Sequence, residues 1–159
     1  LDEVWFVVSP QNPLKKRQSL AHEHDRLRMV ELAIEGNFHF RASDVEFRMP
    51  RPSYTIDTLT YLSEQYPQHQ FCLFLGSDNL DQLKKWKNYE QILEYYKILV
   101  YPRPGDPKLL EHPSIQVIDA PLLDISATFI RKSIQESRSV RYLLPESVSD
   151  YIRDKKLYQ

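Results

Sequence analysis

Only one of the 159 residues is cysteine. No disulfide can therefore form within the chain, no multi-cysteine zinc site can be built, and a lone thiol suits a reducing compartment. Glycine is nearly as scarce. There are three, Gly36, Gly76 and Gly105, where ordinary usage of about 7% would give roughly eleven. Neither GxGxxG nor GxxxxGKS/T can be written with them, which excludes a dinucleotide fingerprint and a P-loop within this chain. Long apolar runs are missing too: the longest, 4–8 and 71–75, have five residues each, whereas a membrane span needs about 20. With no signal peptide at its start, the chain reads as soluble and cytoplasmic. Charge of one sign is also absent, since 21 Lys and Arg nearly cancel 22 Asp and Glu. Proteins that wrap a phosphodiester backbone are normally basic, so nucleic acid is not an expected partner. Metal-ligand spacing is lacking as well: His22 and His24 are two apart, and on a helix such positions point away from each other. No Ser-His-Asp or paired-carboxylate arrangement can be argued from residue order.

What is present is a globular balance, 42% apolar and 27% charged, in a length that suits one ordinary domain spanning 1–159. Short apolar runs alternate with helix-like segments. Residues 3–9, 71–75, 98–101 and 115–118 read as strands, and 38–49 hold one or two more. Helices are expected over 20–34, with Gly36 as the stop, and over 54–66, with Ser53 as N-cap. Two short helices are expected within 80–95, and further ones over 126–135 and 145–155. Cys72, inside an apolar strand, reads as buried and inert. Strand–helix alternation predicts an α/β fold, a mostly parallel sheet with helices on both faces and ligand sites beyond the strand C-termini. The polar residues after each strand are therefore the ones to read for chemistry.

The densest such stretch is Ile125-Ser126-Ala127-Thr128-Phe129-Ile130-Arg131. Ser126 can cap a helix whose first N–H groups lack intrahelical acceptors, and Thr128 and Arg131 share a side, adding a hydroxyl and a guanidinium. That is a cradle for a triphosphate, or else an ordinary cap beside a surface arginine. Hydroxyls also crowd the helix start Pro52-Ser53-Tyr54-Thr55-Ile56-Asp57-Thr58, where ligand binding competes with simple capping and with a first-turn acid favoured by the dipole. Trp86, just past the strand end at Gly76–Asp78, can stack on a flat heterocycle or pack half-buried. Lys15 and Arg103 lie in loops and can clamp phosphate or stay solvated.

In order along the chain, VWFVVSPQNPLKK, PSYTIDTL, FLGSDNLDQLKKWKNYEQIL, VYPRPG, ISATFIR and YLLPESVSDYI resemble bacterial nicotinate-nucleotide adenylyltransferases. The resemblance implies a Rossmann-like nucleotidyltransferase fold and a reaction in which ATP and nicotinate mononucleotide give deamido-NAD and pyrophosphate, with Mg²⁺. It implies that Thr55 and the main chain of Lys87 hold the nicotinate carboxylate and that Trp86 stacks on the pyridine ring. By the same carry-over Gly76 and Asp78 lie against adenosine, and Ser126, Thr128, Arg131, Lys15 and Arg103 hold phosphates. The family's opening strand, Gly-rich turn and T/S-F-x-P-x-H-x-G-H motif have no counterpart here. The chain thus starts at what corresponds to the family's second strand, and none of its residues is assigned as the main catalytic one. Two other readings stand beside this one: a related nucleotidyltransferase acting on phosphopantetheine or nicotinamide mononucleotide, and a non-catalytic nucleotide-binding module. Trp86 beside Thr55 counts against phosphopantetheine, which has no ring to stack.

Overall fold

The computed structural model describes residues 1–10, 20–80, 82–102, 111–121 and 125–159. They fall into two compact units, one made of Leu1–Ser53 with Ile125–Gln159 and the other of Tyr54–Asp124. Every strand pair in either unit is parallel, as the alternation of runs predicts. No helix among the described residues is long and apolar enough to cross a membrane.

In the second unit, β3 (Cys72–Gly76), β4 (Lys97–Tyr101) and β5 (Ile115–Val117) form a sheet in that order. Its helices are α2 (Thr55–Gln65), the single turn α3 (Ser77–Leu80) and α4 (Tyr89–Tyr95), with a 3₁₀ turn at Leu83–Lys85. β4 is the middle strand, and its alternate residues Ile98 and Val100 are both 0% exposed. They pack with Ile56, Leu75, Leu80, Leu83 and Ile92 in one apolar cluster, against which Tyr54 and Trp86 rest. Cys72, expected to be buried, is half-buried at the start of β3. Ile98→Ala removes a fully enclosed side chain and is expected to cost about 2–5 kcal/mol, read from the urea midpoint.

In the first unit, β1 (Val4–Val7) pairs with β2 (Phe40–Ser43), and α1 (Glu23–Ile34), α5 (Ala127–Gln135) and α6 (Glu146–Asp154) complete it. A 3₁₀ turn, Val45–Arg48, fills the rest of the segment where a second strand was possible. α1 begins three residues later than its apolar spacing predicts, because the His22 imidazole accepts a hydrogen bond from the His24 N–H and serves as the cap. His22 has non-helical torsions, φ −54° and ψ 146°. Its ring stacks on that of His24, centroids 5.3 Å apart, rather than pointing away as two helical residues would. Among the described residues of this unit buried apolar side chains are few, Val8, Val148 and Ile152, and α1 has none.

Polar ties supplement that small core. The Tyr151 hydroxyl on α6 donates to Asp25 Oδ1 on α1 at 2.8 Å, and the Ser147 hydroxyl donates to the Leu32 carbonyl at 3.3 Å. The bond to Asp25, then burial and the Asp25 charge, hold the Tyr151 phenol above its ordinary value of 10.0, although Arg28 pulls the other way. A raised phenol stabilises the fold below the unfolded value, and that contribution disappears as pH climbs through the folded value. Tyr151→Phe is therefore expected to lower stability by about 1 kcal/mol at pH 7. It should also flatten the loss that the wild type shows above pH ~10, as followed by denaturant midpoints across that range.

Candidate active site

The second unit holds the first group of site residues, and its apolar cluster places them. Ile56 is flanked by Thr55 and Asp57, Leu75 by Gly76, and Leu83 opens the turn that ends at Trp86. Each polar residue thus projects from a backbone whose neighbour is anchored in the interior. Gly76 ends β3 opposite Tyr101 of β4. Ser77 follows, 3% exposed, and then Asp78 stands exposed at the C-terminal end of the strand, its Oδ1 accepting from the Asn79 amide at 3.1 Å.

α2 opens without a side-chain cap, since its N-cap residue is Tyr54, in extended conformation. The first-turn N–H groups of any helix lack intrahelical acceptors and carry the positive end of the dipole. Thr55, half-buried, begins that turn. The Trp86 N–H closes the preceding 3₁₀ turn on the Leu83 carbonyl at 2.9 Å. Lys87 then reaches back to α2: its Nζ lies 3.0 and 2.8 Å from the two carboxylate oxygens of Asp57 and 4.9 Å from the centre of the Tyr54 ring. Asn88, at φ 50° and ψ 45°, turns the chain into α4. Lys87 is thus tied to the start of α2, where Thr55 lies, and Trp86 packs on the same apolar cluster as Tyr54. Asp57 and Tyr54 were not singled out as partners of Lys87, because a contact spanning 30 residues leaves no periodic trace.

Of the phosphate-binding candidates, Ser126, Thr128 and Arg131 belong to the first unit. The Ser126 hydroxyl accepts from the Phe129 N–H at 3.1 Å, so the expected cap of α5 is formed. Arg131 Nη2 donates to Thr128 Oγ1 at 3.2 Å, placing the guanidinium and the hydroxyl side by side on the first turn. Lys15 and Arg103 lie outside the described residues.

Ser53 is a correction. It does not cap α2; its hydroxyl donates at 2.5 Å to Glu46 Oε2, and Ser9 Oγ lies 3.5 Å away. A carboxyl group with only 7% exposure has few water partners to satisfy it, so the Ser53 hydroxyl turns inward to it and not to the helix end. Glu46 escaped notice because an acid between Val45 and Phe47 reads as the solvent side of an alternating strand, whereas the 3₁₀ turn carries it inside. Nearby, burial raises the Glu23 carboxyl, but the hydrogen bond from Arg51 at 3.0 Å and the charge behind it outweigh this and leave it below the usual carboxylate range. Ser53→Ala removes a donor from a buried carboxylate and is expected to cost about 1–3 kcal/mol, measured by chemical denaturation.

Parallel strands followed at their C-terminal ends by polar residues, and joined by helices with polar first turns, define the class: a Rossmann-like nucleotidyltransferase fold. The cytidylyltransferase-like family model matches residues 1–133. A probable nicotinate-nucleotide adenylyltransferase of Cytophaga hutchinsonii is 56% identical, covering 99% of this chain and 83% of that protein. Another, from Bacillus pumilus, is 36% identical over 100% of this chain and 84% of its own length. The solved nicotinic acid mononucleotide adenylyltransferase of Plasmodium falciparum, complexed with NaAD, shares the fold with a TM-score of 0.81 at 22% identity. That likeness covers 99% of this chain and 83% of that one. The chain belongs to the nicotinate-nucleotide adenylyltransferases, within the cytidylyltransferase-like family.

Proposed function

We propose that this protein transfers the adenylyl group of ATP to nicotinate mononucleotide. A phosphate oxygen of the mononucleotide attacks the α-phosphorus of ATP, the bond to the β-phosphate oxygen breaks, and deamido-NAD and pyrophosphate leave. No protein nucleophile enters this displacement; the protein's work is positioning and charge stabilisation. The observation that carries the reading is the identity of 56% with the Cytophaga hutchinsonii protein across nearly the whole chain.

In this reading Thr55 and the Lys87 main-chain N–H take the nicotinate carboxylate at the uncapped start of α2, and Trp86 stacks on the ring. N–H donors favour a carboxylate over an amide, whose NH₂ cannot accept, so the acid is preferred to nicotinamide mononucleotide. Gly76 and Asp78 lie against adenosine, while Ser126, Thr128 and Arg131 hold phosphates together with Lys15 and Arg103. Mg²⁺ is read as entering with the ATP substrate, on its phosphates. We read 1–159 as a single nucleotidyltransferase domain of a cytoplasmic enzyme; the family match supports this by running unbroken through residues of both units.

The test is pyrophosphate release by protein expressed from the complete reading frame, supplied with ATP, Mg²⁺ and either mononucleotide. Release with the acid and little with the amide is expected; no release with either overturns the reading. Trp86→Ala should raise KM for nicotinate mononucleotide about tenfold, the value of one lost stacking contact, with KM for ATP nearly unchanged. Arg131→Ala should lower kcat by about 10²-fold, as expected for one charge stabiliser of the transferring phosphate.

A further inference from the structure

Lys87 contributes only its main chain to the proposed carboxylate site, yet its side chain is tied to the helix that carries Thr55. The ammonium makes two contacts with Asp57, at 3.0 and 2.8 Å, and lies over the Tyr54 ring. Both partners belong to the opening turn of α2. The other anchors of the segment hold it to other elements: Trp86 rests on the apolar cluster and closes the 3₁₀ turn on Leu83, and the Asn88 side chain bonds Gln91 of α4 at 3.1 Å. The Lys87 side chain is thus the strap that joins residues 86–88 to the helix start where Thr55 sits.

With the ammonium held by Asp57, the donors left to meet a ligand carboxylate at this helix start are directional ones, the N–H groups and the Thr55 hydroxyl, and they tell an acid from an amide only where they are correctly placed. We propose that Asp57, acting through Lys87, is a positioning residue that sets selectivity for the acid form of the mononucleotide. This rests on the function proposed above and extends it to a residue that does not touch the substrate.

With side chains 43% and 42% exposed, the pair contributes little to global stability. A purely structural role would therefore move nothing in the ligand constants, and a positioning role moves one of them alone. Asp57→Asn is expected to raise KM for nicotinate mononucleotide about fivefold and to narrow the acid-over-amide ratio of kcat/KM by a similar factor. KM for ATP and the melting temperature should stay near wild type. Asp57→Glu, which keeps the charge, should recover most of the loss. Asp57→Asn combined with Lys87→Gln should be no worse than the poorer of the two single variants, since both remove one interaction. Unchanged constants in Asp57→Asn, or a rise in both KM values with a falling melting temperature, overturn the proposal. Wild-type protein that releases no pyrophosphate overturns the function and this role together; wild-type turnover with an indifferent Asp57→Asn overturns the role alone.

Discussion

Burial of Ile98 and Val100 on one face of β4 is the constraint on which the second unit depends. Every candidate ligand residue in that unit is adjacent in sequence, or nearly so, to a side chain packed in the same cluster. Thr55 and Asp57 flank Ile56, Gly76 follows Leu75, Asp78 lies two before Leu80, and Trp86 follows the turn opened by Leu83. A close-packed interior transmits position: moving one of these apolar side chains displaces its neighbour's backbone, because cores tolerate little vacancy or strain. The candidate residues take their positions in large part from these apolar neighbours.

The first unit is organised differently. With three buried apolar side chains among its described residues, it relies more on polar ties between segments distant in sequence. Tyr151 meets Asp25, Ser147 meets the Leu32 carbonyl, Arg51 meets Glu23, and Ser53 meets Glu46. Each contributes modestly, of the order of 1 kcal/mol, but each is directional and so fixes orientation as well as proximity. The Glu46 bond has the highest stakes. Its acceptor is out of water, and a buried polar group that loses a donor costs more than a surface ion pair gains.

Legibility in the sequence followed the range of the interaction. β3, β4 and β5 stood out as apolar runs because burial marks consecutive or alternate residues, and the Ser126 cap was readable because donor and acceptor are three residues apart. The parallel pairing followed from alternation of strand and helix. Where a local rule met a stronger distant partner it failed. Ser53 has the chemistry of an N-cap and the right place for one, but Glu46 seven residues earlier captures its hydroxyl. The lysine–aspartate strap across 30 residues had no local signature at all, and Asp57 alone looks like any first-turn acid. The roles of Thr55, Trp86 and Lys87 came from ordered motifs, not from spacing.

That first-turn acid poses a physical conflict. An acidic residue at a helix start is favoured by the dipole, by about 0.3–1 kcal/mol at an exposed position. The same negative charge opposes an anionic ligand approaching the same N–H groups, and α2 has no N-cap side chain to occupy them. In the proposed site Lys87 counters this charge from the side, its Nζ 3.0 and 2.8 Å from the two Asp57 oxygens, so that the acid favoured by the dipole can stay at the helix start beside a carboxylate ligand. The α5 start, capped by Ser126 and bearing a guanidinium in place of a carboxylate, meets no such conflict and needs no counter-charge of this kind.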